Sequence, residues 1–189
     1  MKPPEPTSIL IAPVGDFDPQ LLATLGREIE RVFRIPARVD PLLSDLSFAL
    51  DAGRDQYHST AILRRLAAAA PAGALRVLAL ADVDLFIPIL TYVYGEAQLG
   101  GAACIVSTYR LNAGSGMLRF TEKAAGRVAK EAIHELGHTF NLRHCPDAAC
   151  VMHYCRSEAD VDRKSNDLCR YCRILLDDER RRIAKSRMA

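Results

Sequence analysis

The stretch HELGHTFNLRHC, His134 to Cys145, holds three of the chain's five histidines together with one glutamate and one cysteine. Neither core packing nor surface solvation calls for that density. On a helix, residues four apart lie one above the other, so His134 and His138 present two imidazoles to one point and Glu135 lies beside them. Two imidazoles and a third ligand hold zinc with its fourth position left for water, whose pKa falls towards about 7. A neighbouring carboxylate then takes that water's proton as it attacks a polarised carbonyl, which makes Glu135 a base and not a ligand. A short HExxH pattern also occurs on helices whose histidines only face solvent, so the residues beyond it matter. His144 stands six residues past His138, where a continued helix would carry it away from the ion but a sharp turn after Phe140 brings it back. Such a turn needs a residue that tolerates positive φ. Asn141 is the second choice after glycine, because its short amide bonds locally.

Five of the six cysteines follow the histidines: Cys145, Cys150, Cys155, Cys169 and Cys172. In a chain with no export signal, clustered cysteines bind metal more often than they form disulfides. Cys145 with Cys150, and Cys169 with Cys172, make two pairs separated by a loop. Four thiolates so arranged form a closed tetrahedral zinc site with a structural role. Cys155 breaks the pairing and is read as the spare thiol. Cys104, in the apolar run GAACIVSTY, reads as a small buried hydrophobe.

The elements that must position these groups are legible as periodicity. SILIAPVG, from Ser8, is a β-type run; Asp18 then caps a helix that opens on Pro19 and repeats Leu21, Leu22, Leu25, Ile29 and Val32. ARVDPL, from Ala37, reads as a short strand, and a helix starts at Ser59 and stops at Pro71. Ala74 to Pro88 reads as one third strand, apolar enough for a sheet covered on both faces. From Thr91 to Leu111 two β-rich pieces are separated by Leu99, Gly100 and Gly101, so one of them is expected to run antiparallel. Thr121 to Asn141 returns to helical period, with Ala124, Val128, Ile133, Leu136 and Phe140 near one face. From Cys145 to Cys172 the chain is polar and lacks apolar periodicity, which leaves metal to hold it together. ILLDDERRRIAKSRMA closes the chain as a charged helix.

With 189 residues, 49% of them apolar, the chain can bury one core but not two comfortable ones. A single domain over 1–189 is expected, with the sheet and active-site helix in 1–141 and a smaller four-cysteine part in 142–189. The 25 basic residues against 23 acidic leave a formal charge of +2, which argues for neither a nucleic-acid partner nor a membrane surface. The first residues, broken by Pro13 and Gly15, fail the pattern of a secretory signal, so the expected location is cytoplasmic.

HELGHTFNLRHC, then CVM, then CRYC, resembles the archaemetzincins, a metzincin family with the signature HExxHxxGxxHC, CxM and a distant CxxC. Asn141 replaces the family's glycine. The likeness is strongest from Glu131 to Cys172 and looser over ADVDLFIP and VYGEAQLGGAACIVSTYRL. It implies that His134, His138 and His144 bind a catalytic zinc, that Glu135 is general base and acid, and that Cys145, Cys150, Cys169 and Cys172 bind a second zinc. It further implies that Met152 forms a Met-turn under the first metal, although by composition alone Met152 is core filler. Tyr154 matches a tyrosine near the zinc of some other metzincins, and equally suits a packing role. The implied fold is α/β: a twisted, mostly parallel sheet with one antiparallel edge strand, an active-site helix and a zinc-stabilised C-terminal segment. Tyr92 to Ala97 is the expected edge against which an extended peptide pairs.

The expectation is therefore a zinc metallopeptidase with two zinc ions and a peptide or protein substrate. It is expected to be a monomer with no propeptide. The rival is a non-catalytic, zinc-stabilised module that binds protein or nucleic acid. A secreted disulfide protein would leave three histidines unexplained.

Overall fold

Apolar residues alternate along the central strands, and each set finds its own layer. In the computed structural model, which describes residues 7–111 and 121–188, a five-stranded sheet is built from β1 (Ser8–Val14), β2 (Ala37–Val39), β5 (Ala74–Ala81), β8 (Gly95–Ala97) and β9 (Ala103–Ser107). Its order is β2-β1-β5-β9-β8, parallel throughout except for β8, which runs antiparallel to β9 at the edge. Ile9, Ile11, Leu78, Leu80, Cys104 and Val106 face one way, against α1 (Pro19–Phe33) and α3 (Glu122–Thr139). Leu10, Ala12, Val77, Ala79, Ala103 and Ile105 face the other, against α2 (Ser59–Ala69). Both faces of β5 are covered, as its unbroken apolar run requires.

Asp18 caps α1 by accepting from the Gln20 amide at 2.8 Å, with Pro19 in the first turn. Thr121 caps α3 by accepting from the Ala124 amide at 3.1 Å. Cys104 is fully buried in the first layer, where it acts as a hydrophobe.

Three expectations need correction. The third strand does not run on to Pro88: β5 ends at Ala81, and β6 (Leu85–Ile87) joins β3 (Leu50–Asp51), β4 (Gln56–His58) and β7 (Leu90–Val93) in a second sheet of order β3-β4-β6-β7. Two carboxylates make the break. Asp82 accepts from the Thr108 hydroxyl, and Asp84 accepts twice from Arg110 and once from Gln56. Val83 between them kept the run looking continuous. Secondly, Tyr92 to Ala97 is divided, since Tyr92 and Val93 belong to β7 and only Gly95–Ala97 forms the edge of the parallel sheet. Thirdly, the cysteine-rich segment holds a short helix, α4 (Glu158–Arg163), started by a capping box between Ser157 and Asp160. The final helix, α5 (Arg170–Met188), starts before Ile174 and so takes in Cys172; Ala189 lies outside the described residues.

Candidate active site and cysteine cluster

The end of α3 decides where His144 goes. The Asn141 amide bonds to the His138 carbonyl at 2.9 Å and the Leu142 amide to the Gly137 carbonyl at 3.0 Å, with Asn141 at φ 61°. This is a Schellman ending with asparagine in the left-handed position. Arg76 closes the same end from the sheet, its Nε donating to the Thr139 carbonyl at 3.2 Å. The turn returns His144 to His134 and His138, and one nitrogen from each ring lies within 4.8 Å of the others.

Two of the rings, His134 and His138, are held in one tautomer. Nδ1 of His134 donates to the Val151 carbonyl at 2.9 Å, and Nδ1 of His138 to the Leu142 carbonyl at 2.7 Å. Each Nε2 is left with a lone pair, and these two nitrogens face each other 3.1 Å apart. Two acceptors so placed repel each other unless a cation sits among them, so the donor set fits a metal ion. Burial, followed by the Lys164 charge at His134 and His144, lowers the pKa of all three rings and favours the neutral form that binds metal.

Glu135 follows His134 on α3 but turns towards β8. A methyl group at Gly95 would lie 2.7 Å from Glu135 Cγ and 2.6 Å from the Ile105 carbonyl oxygen, so strand and glutamate meet only because residue 95 has no side chain. Burial, then the Glu131 carboxylate, raise the Glu135 pKa well above the usual range. The three histidines and Glu135 line a cleft of about 390 Å³, with Leu90 to Ala97 along one wall and Tyr154 to Arg156 along another. The Tyr154 ring packs 5.1 Å from that of His144.

The cysteines gather as a second group. One sulfur each from Cys145, Cys150, Cys169 and Cys172 lies within 4.8 Å of the others. The Cys145–Cys169 separation of 3.8 Å equals the edge of a tetrahedron with metal–sulfur bonds of about 2.3 Å. Cys155 stays outside this group and lines the cleft. Under α3, the fully buried Met152 fills the space that Gly137 leaves open.

The sequence reading missed three residues here. Glu131 lines the cleft, and its Oε1 lies 2.8 Å from Lys164 Nζ with both side chains buried. Neither atom has a hydrogen-bond partner among the described residues, so the contact is read as an ion pair. Glu131 had a signal, a carboxylate four residues before Glu135 on the same helix; Lys164 had none. Gly95, the third, was visible only as an ordinary glycine between β-rich residues.

The turn yields a test. Asn141→Gly should retain parental stability, while Asn141→Val, whose β-branched side chain resists positive φ, should lose metal at the histidines. Zinc content after dialysis reads this, and full retention by the valine variant would show that the turn does not hold His144.

A mostly parallel sheet edged by one antiparallel strand, next to a helix with this histidine geometry, defines the class of zinc metallopeptidases. The family model described as peptidase family M54 matches residues 64–178. The archaemetzincin of Natronomonas pharaonis is 34% identical over 86% of this chain and 95% of its own length. The crystal structure of archaemetzincin from Methanopyrus kandleri has a TM-score of 0.80 at 31% identity, covering 93% of this chain and 96% of that one. That of the Archaeoglobus fulgidus archaemetzincin, complexed with malonate, has a TM-score of 0.75 at 34% identity, covering 89% and 99%. The chain belongs to peptidase family M54, the archaemetzincins, and is a zinc metalloprotease.

Proposed function

We propose that the chain, as a single catalytic domain, hydrolyses peptide bonds with His134, His138 and His144 holding a catalytic zinc and Glu135 as general base. Cys145, Cys150, Cys169 and Cys172 hold a second, structural zinc, giving two ions per chain. The observation that carries this reading is the pairing of His134 and His138 Nδ1 with carbonyls, which turns both Nε2 lone pairs to one point beside the Glu135 carboxylate. A zinc held there would supply Lewis acidity for a peptide carbonyl and would bring the pKa of a water towards about 7. Glu135 takes the attacking water's proton on its carboxylate and passes it to the leaving amine. Met152, packed under Gly137, serves as the Met-turn and keeps the floor of the site apolar.

The edge strand supplies peptide recognition. Tyr94, Glu96 and Gln98 turn their main-chain groups towards β9: the Ser107 amide bonds to the Tyr94 carbonyl, Glu96 pairs with Ile105, and the Gln98 amide bonds to the Ala103 carbonyl. The main-chain groups of Gly95 and Ala97 therefore point out of the sheet, free to pair with an extended substrate. The peptide is protein-derived, and the setting is the cytoplasm, where reduced thiols suit a cysteine metal site.

The test is a peptide-library digest on protein purified without chelator, with its metal counted by elemental mass spectrometry. Cleavage that stops with a chelator, at two zinc equivalents per chain, is expected. Chelator-independent cleavage, or none, would remove the peptidase reading, and one equivalent would remove the second site.

A further inference from the structure

Glu96 stands in the edge strand, yet its side chain turns away from the helix that carries Glu135. Gly95 abuts Glu135, and Ala97 packs on the same α3 side of the sheet. Glu96 points to the opposite face, where both its oxygens are engaged at the start of α2. Thr60 Oγ1 lies 2.8 Å from Oε1, and Ser59 Oγ donates to Oε2. Ser59 is completely buried, and its hydroxyl also lies 3.1 Å from the Phe86 carbonyl of β6, so one hydroxyl touches both sheets.

The start of α2 lacks what Glu96 brings. His58 makes no side-chain capping bond there, and the first turn of α2 holds no acidic residue. A helix N-terminus favours negative charge. That charge is supplied by the edge strand, which fastens β8 to α2 on one face while Gly95 rests on Glu135 on the other. The second contact has no slack, because even a methyl group at residue 95 would overlap Glu135 and the Ile105 carbonyl. The Glu96 anchor thus holds, from the α2 face, a strand that cannot move closer to α3.

We infer that Glu96 is a positioning residue for peptide binding: anchored to Ser59 and Thr60, it holds the outward main-chain groups of Gly95 and Ala97 at the right place beside Glu135. Its carboxylate is held on the α2 face by Ser59 and Thr60, so it acts on peptide binding through the strand. The inference rests on the reading of β8 as the substrate strand, and its test does not need turnover.

The test compares two probes on zinc-loaded protein. Acetohydroxamate reports the metal alone, and a peptide hydroxamate reports the metal together with main-chain pairing. Glu96→Ala should weaken the peptide hydroxamate about tenfold, the scale of one charge-assisted hydrogen bond, and leave acetohydroxamate unchanged. Glu96→Gln, which still bonds to both hydroxyls, should recover most of the loss. Thr60→Val, removing one donor from the other partner, should move the peptide probe in the same direction by less. Where peptides are cleaved, the same variants should raise KM and leave kcat within about threefold.

A purely structural role predicts a lower Tm with both probes unchanged below it, and that result overturns the inference. Equal weakening of both probes also overturns it, because the metal site itself would then have moved. If the parent binds the peptide hydroxamate no better than acetohydroxamate, β8 is not the substrate strand and the inference falls with that reading. A parent that binds the peptide probe tightly but does not cleave would instead defeat the peptidase mechanism, while the Glu96 comparison is still read from binding.

Discussion

Glu135→Ala should retain the parent's zinc content, fold like the parent and lose peptide cleavage by about 10² to 10⁴-fold, the usual contribution of a general base. His134 and His138 do not depend on Glu135 for their orientation, since their Nδ1 atoms donate to the Val151 and Leu142 carbonyls. Nor does stability depend on it. A carboxylate buried between α3 and β8 costs desolvation, and removing it relieves that cost while leaving a small gap beside Gly95. Glu135→Gln keeps the size and cannot take the proton, so it should fail as the alanine variant does. Cleavage rates and zinc content measured together make the test, and parental cleavage by either variant would mean that another group moves the proton.

Lys164→Met should be strongly destabilising. Lys164 and Glu131 have side-chain exposures of 1% and 5% and lie 2.8 Å apart. Removing one member of a buried pair leaves the other charge without compensation, at a cost of about 3–5 kcal/mol. For a chain of this size that lowers Tm by roughly 10 °C. Glu131→Leu combined with Lys164→Met removes both charges, and should recover most of the loss because an apolar pair of similar volume avoids desolvation altogether. Thermal unfolding of the single and double variants makes the cycle. A single variant as stable as the parent would show that Glu131 and Lys164 are not paired as ions.

The site was more legible than the scaffold around it, for a physical reason. A metal site needs particular side chains at particular spacings, so the candidate ligands His134, His138, His144 and the paired cysteines stand out one residue at a time. Asn141 could be read as a left-handed turn because few side chains tolerate that conformation, and its φ of 61° agrees. The alternating layers of the parallel sheet were also visible, since burial on both faces leaves unbroken apolar runs. Such a run does not say where one sheet stops and the next begins, and β5 and β6 were therefore merged. What separates them is where Asp82 and Asp84 find Thr108, Arg110 and Gln56, contacts more than 20 residues away along the chain. Glu131 and Lys164 were hidden likewise, because their meaning lies in a pairing across 33 positions that no local pattern encodes. The capping box at Ser157 was a local signal, overshadowed by the cysteines on either side of it.

The contact between Gly137 and Met152 limits how this chain can vary. A methyl group at Gly137 would lie 2.4 Å from Met152 Sδ and 3.0 Å from its Cε. Volume at the two positions is therefore a shared quantity. Alanine at 137 demands a shorter side chain at 152, and a bulkier residue at 152 can be accepted only while 137 stays bare. Because residue 137 lies between His134 and His138 on α3, a mismatch would be relieved by rotating the helix, and the imidazoles would turn with it. Sequence change at either position is thus expected to come as an exchange, and a library that randomises both together should recover folded variants that neither position yields alone.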